Sequence, residues 1–179
     1  MSQALVAGES DRAAASKVVG EKFHYLFHKA ASLAVQAIET EATAQGAAVK
    51  DYSTTLLAVA VKRTNSDTFV ASFWMGDGAI ATYGQEGGVV KLMGTPDGGE
   101  FAGQTRFLDK AALSEQGFGK RIRCERFSNL TAVLLMTDGV SDPRFETDNG
   151  LVDPARWDAL WAELSSSLTS QEPDRALIE

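Results

Sequence analysis

Two segments of the chain end an apolar run on a carboxylate. In "AVLLMTDGVSDP" (132–143) five apolar residues run into Thr137-Asp138-Gly139, and Asp142 lies four residues beyond Asp138. In "FVASFWMGDGAIATY" (69–83) a strand-like run stops at Gly76-Asp77-Gly78 and a second run begins at once. Taken singly, each Asp-Gly reads as a tight turn whose side chain bonds its own backbone. Two such sites, each at the end of a strongly apolar run, point instead to convergence. Carboxylates brought together repel one another unless cations intervene, and hard divalent ions take oxygen ligands. The glycines flanking Asp77 permit an unusual backbone and the close approach of a ligand or another segment. Asp77 and the Asp138/Asp142 pair are therefore candidates for convergence around a cation at strand ends, with the tight turn as the alternative at each.

Other chemistry-bearing residues support less. His24 and His28 stand four apart, but a zinc hydrolase of that spacing needs Glu directly after the first His, and Tyr25 is there. They read as helix-surface or half-buried histidines. Cys124 has no thiolate-stabilising motif around it and reads as an ordinary thiol. Trp157 and Trp161 recur at helical spacing and read as packing. "KRIRCER" (120–126) alternates as a strand with a solvated face; a seat for phosphorylated substrate is its lesser reading.

These residues need elements to hold them. A helix is predicted from about Asp11 to Gln45, capped by Ser10 or Asp11 and stopped by Gly46. Val19, Phe23, Leu26, Phe27, Ala30, Leu33, Ala34, Ala37 and Ile38 should form its core face. Its length leaves room for a break near His28–Ser32. The period then changes to that of strands over 54–61 and 68–75, joined by the polar loop 62–67. A second hairpin is predicted from 79–83 and 88–92 across "GQEG", followed by a Gly-rich surface loop over 94–105. A short helix around 111–119, strands over 120–127 and 131–136, and a helix over 153–164 complete the order. In the last helix Asp153 caps, Pro154 takes the first turn, and Trp157, Leu160, Trp161 and Leu164 share one face. Helix, strand cluster, helix suggests α+β layers rather than βαβ alternation.

Composition closes off several classes. A net charge of −7 argues against nonspecific binding to nucleic acid, which runs on basic surface. No apolar run reaches the roughly eighteen residues of a membrane span, and the amino terminus lacks a signal-peptide pattern. The one cysteine cannot form an internal disulfide, which is compatible with a reducing cytoplasm. With 179 residues the chain is expected to be one domain, 1–179, and a monomer.

The pair "GDGAIATY" and "LLMTDGVSDP", with "DYSTTLLAVAV" upstream, resembles the PP2C (PPM) metal-dependent serine/threonine phosphatases over roughly residues 50–143. It is most similar to the compact bacterial branch, whose "GEYxNxT"-like loop is matched by "GEFAGQT" (99–105). The resemblance implies a four-layer αββα sandwich of two antiparallel sheets flanked by helices, with two or three Mn²⁺ or Mg²⁺ ions in a cleft at one end. By motif matching Asp138 would belong to the metal core, and Asp77 and Asp142 would join it around a more labile ion. The implied activity is hydrolysis of phosphoserine or phosphothreonine in a phosphoprotein by metal-activated water.

Two family motifs are not matched. The first Asp-Gly, expected in a "VADGAGS"-like context, corresponds to "LVAGESDRAAAS" (5–16), where Glu9 and Asp11 read as helix-start acids. The final acidic motif before a last strand is also missing: the chain stops at "EPDRALIE", and no apolar strand follows Asp174. The 179 residues alone are therefore expected to be nearly inactive, the complete natural protein active. The competing expectation is a pseudophosphatase, the fold kept as a binding or regulatory module.

Overall fold

The computed structural model describes residues 2–84, 90–97, 105–146 and 149–169. The parts of the predicted hairpin turn over 85–89, of the Gly-rich loop over 98–104 and of the carboxyl terminus from 170 on, with Asp174, lie outside the described residues.

Helix α1 (Ser2–Ala44) is followed by a 3-10 turn (Val49–Tyr52), β1 (Leu56–Arg63), β2 (Thr68–Met75), β3 (Ala79–Tyr83) and β4 (Val90–Gly94). Then come α2 (Glu115–Phe118), a 3-10 turn (Gly119–Arg121), β5 (Ile122–Phe127), β6 (Ala132–Met136), α3 (Asp138–Phe145) and α4 (Pro154–Leu168). The strands form two antiparallel sheets of three, ordered β1-β2-β5 and β4-β3-β6.

Alternation along each central strand builds the layers, because successive side chains point to opposite faces. In β2, Ala71, Phe73 and Met75 face α1 and pack with its Phe23, Phe27, Ala31 and Val35. Val70 and Trp74 face the other way and meet Ile80 and Met93 of the second sheet. In β3, Ala79 and Ala81 face Phe145, Trp157 and Leu160 of α3 and α4. Helix, sheet, sheet and helices therefore stack in four layers, as expected.

The helices carry the corrections. α1 begins at Ser2, so Ser10 and Asp11 lie inside it rather than capping it, and it runs on through His28–Ser32 without a break. Its end is as read: Gly46 takes φ 64°, Ala47 N–H reaches Ala42 O at 2.9 Å and Gly46 N–H reaches Thr43 O at 3.1 Å. These two bonds are the Schellman closure that glycine permits. Leu26 and Leu33, predicted inside, are 53% and 56% exposed. At 100° per residue they lie roughly 120–140° around the helix from the Phe23–Val35 stripe, too far to reach the sheet. In α4 Asp153 Oδ1 accepts Ala155 N–H at 3.0 Å, the predicted cap.

α3 is the element the sequence concealed. Asp138-Gly139 reads as a turn signal, yet the chain passes straight from β6 into a helix. Val140 and Ser141 N–H close its first turn on Thr137 O at 3.0 and 2.9 Å. Asp138 in that first turn faces the positive end of the helix dipole. Pro143 lies within the helix and Phe145 anchors its end in the core.

Candidate active site

Register fixes where the acids go. Leu56 pairs with Met75 and Ala79 with Met136, so the start of β1, the end of β2, the start of β3 and the end of β6 share one end of the sandwich. There Gly76-Asp77-Gly78 carries the chain from the first sheet to the second, and Thr137-Asp138 carries it from β6 into α3. The close packing needs both glycines. Gly76 adopts φ 118°, and a Cβ there would run into the Thr55 side chain. A Cβ on Gly78 would lie 2.6 Å from Met136 O and 2.7 Å from Leu57 Cδ1.

A cleft of about 430 Å³ opens at this end, walled by Asp77, Gly78, Thr55, Leu57, Thr137 and Asp138 among others. Asp77 is half-buried, and its Oδ2 accepts the Thr105 hydroxyl at 2.8 Å. Asp138 is exposed, with Oδ1 accepting Gly139 N–H at 2.8 Å. The structure thus brings Asp77, from the crossover into β3, and Asp138, from the end of β6, to one cleft. Asp142 is not part of the lining: it stands exposed on α3, with Ser141 Oγ 3.5 Å from its Oδ1. Among the described residues no three side chains of His, Cys, Asp or Glu converge closely enough to hold a metal ion.

A second set of residues braces the turn, and the sequence reading passed over it. Asp97 lies just beyond β4, in the stretch predicted as a surface loop, but its side chain is only 12% exposed. Its Oδ2 accepts Gly76 N–H at 2.8 Å, and its own N–H donates to Gly76 O at 2.8 Å. Arg121 Nη1 lies 2.6 and 2.5 Å from the two Asp97 oxygens. No local pattern announces a contact across 24 residues; the one available signal was an acid and a base at the ends of adjoining strands. A larger concavity of about 760 Å³ is walled by Trp74, Asp97, Arg106, Lys120 and Arg121 among others.

A family model described as protein phosphatase 2C matches residues 2–179. The chain belongs to the protein phosphatase 2C family. No curated protein and no solved structure matches it. In this PP2C chain the remaining candidates take packing or pairing roles. His24 and His28 stand edge-on to Phe118, with ring centroids 5.7 and 5.0 Å away. Trp157 is buried and donates Nε1–H to Leu151 O at 2.8 Å, while Trp161 stacks on Tyr83. The basic strand is engaged along its length: Arg123 donates to Leu92 O at 2.7 Å and stacks over Trp74, and Arg126 faces Asp67 at 3.9 Å. Cys124 sits in an exposed residue, yet partial burial, followed by the neighbouring Glu125 charge, pushes its thiol above the ordinary range. Among the described residues no helix is long and apolar enough to cross a membrane.

Proposed function

We propose that this PP2C chain is a metal-dependent protein serine/threonine phosphatase, working in the cytoplasm as a monomer of one domain on phosphoserine or phosphothreonine in a protein substrate. The observation that supports this reading is that Asp77, in the crossover into β3, and Asp138, at the end of β6, wall one cleft. Their donor set fits a hard cation. Mg²⁺ and ions like it are commonly held by one or two carboxylates, with water and substrate phosphate completing the shell. Asp77 and Asp138 would hold such a Mn²⁺ or Mg²⁺ ion, and Asp142, exposed on α3, would serve a further and looser one. When bound, divalent ions in such sites lower the pKa of water and offset charge on phosphoryl oxygens.

The chain's own contribution is placement. Thr105 donates to Asp77 Oδ2 and so fixes one side of the carboxylate. The Gly139 N–H holds Asp138 Oδ1, so its carboxylate is oriented by the first turn of α3. Leu57 beside the acids supplies an apolar wall that reduces competition from bulk water.

A second reading, a phosphoprotein-binding pseudophosphatase, is favoured by one observation. Residues 5–16, where the family carries its first Asp-Gly, lie inside α1 and form no turn at a strand end. The two readings part in one experiment: hydrolysis of a phosphothreonine peptide and of p-nitrophenyl phosphate by the complete natural protein, beside the 179-residue chain expected to be nearly inactive, across a Mn²⁺ titration with EDTA controls. Turnover is expected only with metal, to vanish in Asp138→Ala, and to need more Mn²⁺ in Asp142→Ala. Metal-independent turnover would overturn the assignment. Peptide binding without turnover at any Mn²⁺ concentration would favour the pseudophosphatase.

A further inference from the structure

We propose that Arg121 and Asp97 form a positioning pair that sets Asp77 for its cation, an inference that rests on the reading of Asp77 as a metal ligand. Gly76, the residue before Asp77, is buried and has φ 118°, a conformation that does not hold itself in place. Asp97 clasps it on both sides, taking its N–H at 2.8 Å through Oδ2 and giving its own N–H to Gly76 O at 2.8 Å.

A carboxylate used in this way must itself be held. Arg121 reaches both Asp97 oxygens through Nη1 at 2.6 and 2.5 Å, and Trp74 O at 3.4 Å. The two side chains are 13% and 12% exposed, so water competes little for the bond. Arg121 immediately precedes β5 in the first sheet, and Asp97 follows β4 in the second. The pair therefore ties the turn to both sheets, and the carboxylate of Asp77 inherits its place from that tie. Neither residue walls the cleft between Asp77 and Asp138, so neither touches the cation directly. Their action passes through the backbone of Gly76.

The experiment uses the full chain and three measurements: Mn²⁺ affinity by electron paramagnetic resonance of the free ion, hydrogen exchange at the Gly76 amide, and melting temperature. Arg121→Ala and Asp97→Asn should lose Gly76 amide protection and bind Mn²⁺ about tenfold more weakly, the range in which residues that orient metal ligands act. Arg121→Lys keeps the charge without the planar fork and should fall between them and the wild type. Leu160→Ala, in the core between α4 and the second sheet, should lower the melting temperature while leaving Mn²⁺ affinity and Gly76 exchange unchanged. If Arg121→Ala fails to fold, Arg121→Lys and Asp97→Asn carry the test. Mn²⁺ affinity equal to the wild type in the folded variants would overturn the positioning role alone. A wild-type chain whose Mn²⁺ binding is absent, or unaffected by Asp77→Asn, would overturn the metal reading of Asp77 and the positioning role with it.

Discussion

Thr105 and Asp77, separated by 28 residues in the chain, meet in a 2.8 Å hydrogen bond from the threonine hydroxyl to Oδ2. The bond spends one lone pair of a half-buried carboxylate on the protein and aims the rest of the group. Thr105→Ala should therefore cost about 1–2 kcal/mol, as for loss of a hydrogen bond to a charged acceptor near the surface. It should also raise the Mn²⁺ concentration for half-saturation, whereas Thr105→Ser should preserve both. Thermal melting beside a Mn²⁺ titration checks this, and wild-type behaviour in Thr105→Ala would refute it.

Gly78→Ala should destabilise the fold without changing its polar groups. The new methyl would lie 2.6 Å from Met136 O, a backbone atom that cannot swing aside. Overpacking of this kind costs about 1–3 kcal/mol, read from the urea midpoint at constant slope.

Phe73 and Leu33 offer a paired comparison. Phe73 is 1% exposed and stacks on Phe27 and Phe118 with centroids 6.2 and 4.7 Å apart, so Phe73→Ala should cost about 3–5 kcal/mol. Leu33 is 56% exposed on the same α1, and Leu33→Ala should change stability by less than about 0.5 kcal/mol. Equal costs in equilibrium denaturation would mean that α1 docks through a different face.

Arg144 of α3 and Glu163 of α4 face one another with Arg144 Nη2 2.6 Å from Glu163 Oε1. The hydrogen bond to Arg144, opposed by some desolvation and aided by its charge, holds the Glu163 carboxyl below the ordinary range. A carboxylate depressed on folding stabilises the folded state above its unfolded pKa, and that contribution is lost as pH falls through the folded value. Both groups are exposed, so the effect is small. Wild type and Glu163→Gln should differ slightly at neutral pH, with the gap closing in acid below the usual glutamate range. Melting temperatures across pH check the sign, and a gap that widened in acid would contradict the pairing.

How far the sequence could be read follows from the distance over which each signal acts. β2 and β3 were legible to their end residues, Thr68–Met75 and Ala79–Tyr83, because alternation and flanking turn residues are local. The link between them was legible too, since Gly-Asp-Gly between two apolar runs is a local turn signal. α3 was hidden because its Asp-Gly is a turn-former in isolation, and Phe145 docking on Trp157, 4.5 Å between centroids, selects the helix. Asp97 and Arg121 were hidden for a different reason: their partnership exists only once β4 and β5 lie in facing sheets. Asp77 and Asp138 could be named from sequence, but that Asp142 stays outside the cleft lining depends on α3 beginning where it does.

The sheets are joined covalently at opposite ends, by residues 76–78 from β2 to β3 and by residues 128–131 from β5 to β6. Two leaves fastened at both ends cannot open like a book. The spacing of Asp77 and Asp138 is then set by the ladder in which Ala79 stands opposite Met136, and it cannot change without breaking the pairing of β3 with β6.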